Sequence, residues 1–231
     1  MIAMVQRFLR QKFESPLASV TLAVLALLVA YPPALSAGPA RLIALLLIAS
    51  GAVSRDASSG ALQIILARPI SRTEYLGGRL LGVMAAYTIF LASAAIFAFL
   101  LSLQLGGTAT LLFPALPRAF AGALLDGLQI AALLLFFSTF LPSYGDALGY
   151  LFLWIAFSAA AGFGTALGRD GLANVARTAQ ESLLPNVQWN AMLAGQDLAT
   201  EALGRWVLAV TVCFVLAAVV LSRREFAYGQ D

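Results

Sequence analysis

The chain has 231 residues, 61% of them hydrophobic and only 11% charged, with a net charge of +3 and a mean hydropathy of +0.90. Soluble domains run at roughly 45–50% apolar and about 25% charged, and a fold of this size has too little interior to hide such an excess. With no histidine and one cysteine, Cys213, the sequence excludes a Cys/His metal centre, a histidine-based triad and an intrachain disulfide.

Lipid is therefore the expected solvent for most of this surface. The long apolar runs indicate membrane helices, because a barrel would show short alternating segments. Residues 1–14 set Arg7, Arg10 and Lys12 against Ile2, Val5, Phe8, Leu9 and Phe13 at helical spacing, which predicts an amphipathic helix at the membrane interface. Residues 17–53 hold two apolar runs, broken at Pro32-Pro33 and turned around Ser36-Ala37-Gly38-Pro39, and read as spans 1 and 2. The basic start followed by an apolar stretch also suits a cleavable signal peptide. Residues 54–79 are a polar-containing loop. Residues 80–163 carry spans 3 to 5, including a run from Ala119 to Leu141 that stops at Pro142. Residues 164–204 are more polar, with Leu172, Val175, Ala179 and Leu183 near helical spacing, and predict one or two amphipathic helices split near Pro185. Residues 206–221 form span 6, and 222–231 a charged tail. The Gly145 and Gly149 pair reads as a site of close helix packing.

The expected fold is thus an all-α integral membrane protein of six transmembrane helices in one transmembrane domain, 1–231. Six spans put both ends on one side. That side would hold Arg7, Arg10, Lys12, Arg55, Arg68, Arg72, Arg79, Arg223 and Arg224, against Arg41, Arg118, Arg169, Arg177 and Arg205 on the other. Cytoplasmic loops carry the excess of basic residues, so both termini and the 54–79 loop are expected in the cytoplasm of a multi-pass inner (plasma) membrane protein.

Two helical pieces can be parsed in the 54–79 loop. The first starts near Asp56, whose carboxylate can cap free amides, and ends at Arg68 before Pro69, with Leu62, Ile65 and Leu66 on one apolar edge. The second opens on Ser71-Arg72-Thr73-Glu74, a capping-box pattern that launches span 3. A short helix and a hard corner between two spans can transmit a push from a soluble partner.

The stretch resembles the loop after the second span in permeases of the type-2 ATP-binding-cassette exporters. The positions that carry the resemblance are Asp56, Gly60, Leu62, Leu66, Pro69, Ile70, Ser71, Arg72, Tyr75, Gly78 and Arg79, with the tail Arg223-Arg224-Glu225-Phe226. Asp56 stands where the family carries glutamate, and Arg79 where it carries lysine. The resemblance implies that the short helix is a coupling helix seated in a separate ATPase subunit. Asp56, Gly60, Leu62, Ile65, Leu66, Arg68, Pro69 and Arg72 would then be the contact set. It also implies a pair of permeases, with a second copy or a paralogue, over two nucleotide-binding subunits that hold ATP and Mg. No cofactor is expected on this chain and no nucleic acid among its partners; membrane lipid is. The residues agree independently: a phosphate-binding loop needs a Gly-Lys pair, and the sole lysine, Lys12, has no glycine near it.

Asp126 lies deep in the fourth run, with Gln129 three places on and on the same helix face. A carboxylate at that depth marks function by default, and the pair reads either as part of a substrate path or as a structural polar pair. In the second reading a paired carboxyl holds helices together. A non-transporting membrane scaffold that docks a soluble partner through the same loop is the rival to an exporter permease.

Overall fold

The computed structural model describes residues 2–14, 16–30, 37–67, 70–104, 116–142, 144–184, 189–193 and 200–223. Among these residues the secondary structure is helix and turn, with no strand. In chain order the helices are α1 (Ile2–Phe13), α2 (Pro16–Ala30), α3 (Ala37–Ala49), α4 (Ser54–Ser58), α5 (Ala61–Leu66) and α6 (Arg72–Gln104). They continue with α7 (Leu116–Ser138), α8 (Gly145–Ala166), α9 (Asp170–Leu183), α10 (Trp189–Leu193) and α11 (Thr200–Arg223).

Four of these are long and apolar enough to cross a membrane: α6 as far as Leu101, α7, α8 and α11. The count reaches five if α1 and the part of α2 from Ala18 are one bent span. The two helices in the region read as spans 1 and 2 are shorter than expected. With 15 and 13 residues, α2 and α3 measure about 20 Å each at 1.5 Å per residue, against a hydrocarbon core of about 30 Å. In contrast, α6 runs for 33 residues, or about 50 Å, more than a crossing requires.

The chain divides into two compact units. The first comprises residues 1–49, 78–131 and 188–199. Here α1 lies on α6, with Met4 against Gly78 and Phe8 against Gly82; a Cβ on either glycine would come within 3.0–3.1 Å of those side chains. Phe8 is buried, and its ring has Lys12 at 5.7 Å and Arg79 at 5.6 Å. The Lys12 ammonium donates to the Leu47 carbonyl at 3.2 Å, so a cation meets the negative end of α3. A helix is therefore present where the amphipathic pattern predicts one, and its packed edge is Phe8 and Lys12. Ile2 and Phe13, two of its expected apolar contacts, stay exposed. Elsewhere in this unit α2 packs on α3. Gly127 of α7 faces the Tyr87 ring of α6 so closely that a Cβ would sit 2.5 Å from it.

The second unit comprises residues 50–77, 132–187 and 200–231. Its most extensive helix contact is α9 against α8. The turn between them closes when the Arg169 N–H donates to the Gly164 carbonyl at 2.8 Å. Gly164 lets the helices touch, because a Cβ there would meet the Ala173 backbone nitrogen at 2.6 Å. The protein-facing edge of α9 is thus Ala173 and Ala176, and the apolar stripe read in the sequence turns outward at Leu172 and Val175. Arg205 at the start of α11 pairs with Glu181 of α9 at 3.3 Å, and with Glu201 one turn away. A stripe of Ala209, Cys213, Ala217 and Leu221 is the buried face of α11, so Cys213 serves there as a small apolar side chain.

Candidate functional site

All elements of the 51–75 segment belong to the second unit, and local chemistry explains its shape. Ser71 and Glu74 form the expected capping box: the Ser71 N–H donates to Glu74 Oε2 at 2.9 Å, and the Glu74 N–H donates to Ser71 Oγ at 3.1 Å. That exchange fixes the start of α6. The first helical piece differs from expectation, because it breaks into α4 and α5 at Ser59-Gly60. Gly60 has a φ of +69°, a left-handed conformation that costs glycine little, and a Cβ at that position would meet nothing within 4 Å.

Four further attachments hold the segment to the rest of its unit. Ser138, the last residue of α7, accepts hydrogen bonds on Oγ from the backbone N–H groups of Val53 and Ser54, both at 3.0 Å. Free amides at the start of α4 are thus met by a residue 84 positions away rather than by the Asp56 carboxylate. Asp146, fully buried at the start of α8, accepts from the Gly51 N–H at 2.6 Å and from the Ala147 N–H at 2.8 Å. Gly51 has a φ of +70°, and a Cβ there would collide with the Arg55 side chain. The Arg55 guanidinium lies 5.0 Å from the centre of the Tyr144 ring and donates to its hydroxyl at 2.7 Å. Finally, Arg72 donates to the main-chain carbonyl oxygens of Leu221, at 2.7 Å, and Ser222 in the last turn of α11.

Asp56 points inward. Its Oδ2 accepts from the Tyr75 hydroxyl at 2.7 Å, and both side chains are buried. This ties α4 to the first turn of α6 by a buried side-chain hydrogen bond. Leu62 is 0% exposed, so it pins α5 to the unit, whereas Ile64, two places on, is 70% exposed. Ser58, Ser59, Ala67, Ser71, Thr73 and Glu74 are also exposed, and Ile65 is half-buried. Among its described residues the segment therefore presents one uncovered branched apolar side chain, Ile64, together with exposed polar residues. Of the residues assigned to this contact by resemblance, Arg68, Pro69 and the side chain of Leu66 lie outside the described residues.

The two residues read in the sequence as an intramembrane pair lie in the first unit. Asp126 and Gln129 are on α7, where Gln129 is buried. Asp126 Oδ1 accepts from the indole N–H of Trp189 at 2.7 Å. Trp189 opens α10 and is itself buried. Sequence reasoning found the carboxylate but not this partner, 63 positions away. An apolar ring with one polar N–H is the only cue its sequence offers. Ser138, Asp146 and Ile64 were missed likewise, since each reads locally as an ordinary helix-end or helix-face residue.

The sequence profile of a family described as ABC-2 family transporter protein matches residues 11–168. Among curated proteins, nothing matches the chain.

Proposed function

The chain belongs to the ABC-2 family of transporter proteins, and on that premise we propose that it is the permease of an ATP-driven exporter. Its α4–α5 segment is the seat of a separate ATPase subunit, which supplies the site for ATP and Mg. One observation carries this reading: a short helix pair with Ile64 uncovered is bonded through Asp56 to α6 and through Ser138 to the end of α7, while Gly51 just before it is held by Asp146 of α8, and Arg72 of α6 holds the end of α11. A docking knob held this way delivers a push instead of absorbing it. Gly60 sets the corner between α4 and α5, and Leu62 and Asp56 hold the knob in place from within. Ile64, Ile65 and the exposed polar residues are the contact.

The same reading makes α2 and α3 the first two spans, short as they are, and α6, α7, α8 and α11 the remaining four. The distribution of basic residues then puts both termini in the cytoplasm of the inner membrane. A second copy or a paralogue completes the translocation path, which Asp126 and Trp189 line or brace. The family match favours transport over a scaffold that docks a partner without moving cargo.

The test is co-expression with a genomically neighbouring ATPase and purification through a tag on this chain. An Ile64→Asp variant should fold and insert normally, since the side chain is already exposed, yet lose the ATPase and its ATP hydrolysis in lipid. Retention of the ATPase by that variant would overturn the docking assignment. An ATPase that binds but hydrolyses no faster with any cargo tried would favour the scaffold.

A further inference from the structure

We infer that Arg72 is a positioning residue that clamps the last turn of α11 to the docking segment, so that α11 moves with the segment; the inference rests on the docking reading above. The resemblance placed this arginine among the ATPase contacts, but its guanidinium turns to its own chain. It donates to the carbonyls of Leu221 and Ser222, 149 and 150 positions away. The last four carbonyls of a helix have no partner within it, and they form its negative pole. One guanidinium nitrogen, Nη1, donates to both of these carbonyls and so meets both needs at once. The backbone beside Arg72 is itself fixed, by the Ser71–Glu74 cap before and after it and by Tyr75, whose hydroxyl holds Asp56 of α4. Leu221 is fully buried, so the clamped turn is packed as well as bonded. The first turn of α6, α4 and the end of α11 thus form one body. The Pro-Ile-Ser-Arg motif then has two intramolecular tasks: Ser71 caps α6, and Arg72 caps α11.

Hydrogen exchange of the full chain in lipid nanodiscs tests this, alone and with the co-expressed ATPase. In the permease alone, Arg72→Gln should speed exchange of the Val219–Arg223 amides by about tenfold or more, the loss expected for a charge-assisted hydrogen bond. Arg72→Lys should fall between that variant and the wild type. Unchanged exchange in Arg72→Gln, or exchange in Arg72→Lys as fast as in Arg72→Gln, would overturn the clamp. With the ATPase bound, a non-hydrolysable nucleotide should alter exchange in both Ala61–Ile65 and Val219–Arg223 of the wild type. In Arg72→Gln only the first response should remain. A full α11 response in that variant would overturn the inference while leaving docking intact. If the wild type binds no ATPase, the docking reading fails, and the permease-alone comparison still decides the clamp.

Discussion

Leu62 and Ile64 stand two positions apart in α5 and have opposite surroundings, one fully buried and the other 70% exposed. Their substitutions should therefore separate folding from partner binding. Leu62→Asp places a charge where no water reaches, and should cost several kcal/mol, read as poor expression and a low melting temperature in detergent. Ile64→Asp should leave that temperature within about 2 °C, since surface changes cost at most about 0.5 kcal/mol. A comparable contrast exists at Tyr75. Its hydroxyl donates to the buried Asp56 carboxyl group, so Tyr75→Phe takes one donor from a buried acceptor, at a cost of about 1–3 kcal/mol. The ring stays in place, and thermal unfolding in detergent should show the loss with the helix content unchanged.

At the scale of elements, glycines set how closely helices approach. Gly164 admits α9 onto α8 at a distance that a Cβ would violate against backbone, 2.6 Å from the Ala173 nitrogen. Backbone cannot swing aside as a side chain can. Gly164→Ala should thus destabilise by about 1–3 kcal/mol, with exchange of the α9 amides rising before that of α8. Gly127 faces a side chain instead, the Tyr87 ring, which is buried and stacked on Phe90 with centroids 6.0 Å apart. Gly127→Ala should be costly alone and relieved by Tyr87→Leu. In a double-mutant cycle the pair should depart from additivity by about 0.5–3 kcal/mol, and additive costs would mean the ring moves freely. The Gly-x-x-x-Gly pair of Gly145 and Gly149 also marks close packing, here against Leu141 and Phe137 of the same unit.

For the whole molecule, the second unit gathers the 51–75 segment, the end of α7, the start of α8 and the end of α11 through direct hydrogen bonds. These elements share one face of the membrane if α6, α7, α8 and α11 each cross it once. Single cysteines in a Cys213→Ala background test that arrangement. Ser58→Cys and Thr73→Cys should react with an impermeant thiol reagent only from the cytoplasmic side, and Gly171→Cys only from the opposite side. Labelling of Ser58→Cys and Gly171→Cys from the same side would rule out the expected topology.

The sequence by itself determined what depends on composition and on near neighbours. Excess apolar surface demanded lipid, runs of apolar residues became helices, and the Ser71–Glu74 pattern formed its cap as read. The ordered positions from Asp56 to Arg79 were enough to resemble the family that residues 11–168 match. Membership and helicity are legible because they rest on local spacing and on a solvent that satisfies no backbone group. What only the tertiary structure decided were partners: Ser138 rather than Asp56 at the start of α4, Tyr75 for Asp56, Trp189 for Asp126, and α11 for Arg72. It likewise decided that Leu62 faces in and Ile64 out, and that Lys12 is buried against α3. Each of these joins residues 19 to 149 positions apart, except for the faces of α5. There the pattern put Leu62 on an apolar edge and left Ile64 off it, but it did not say that Leu62 is covered by the rest of this chain.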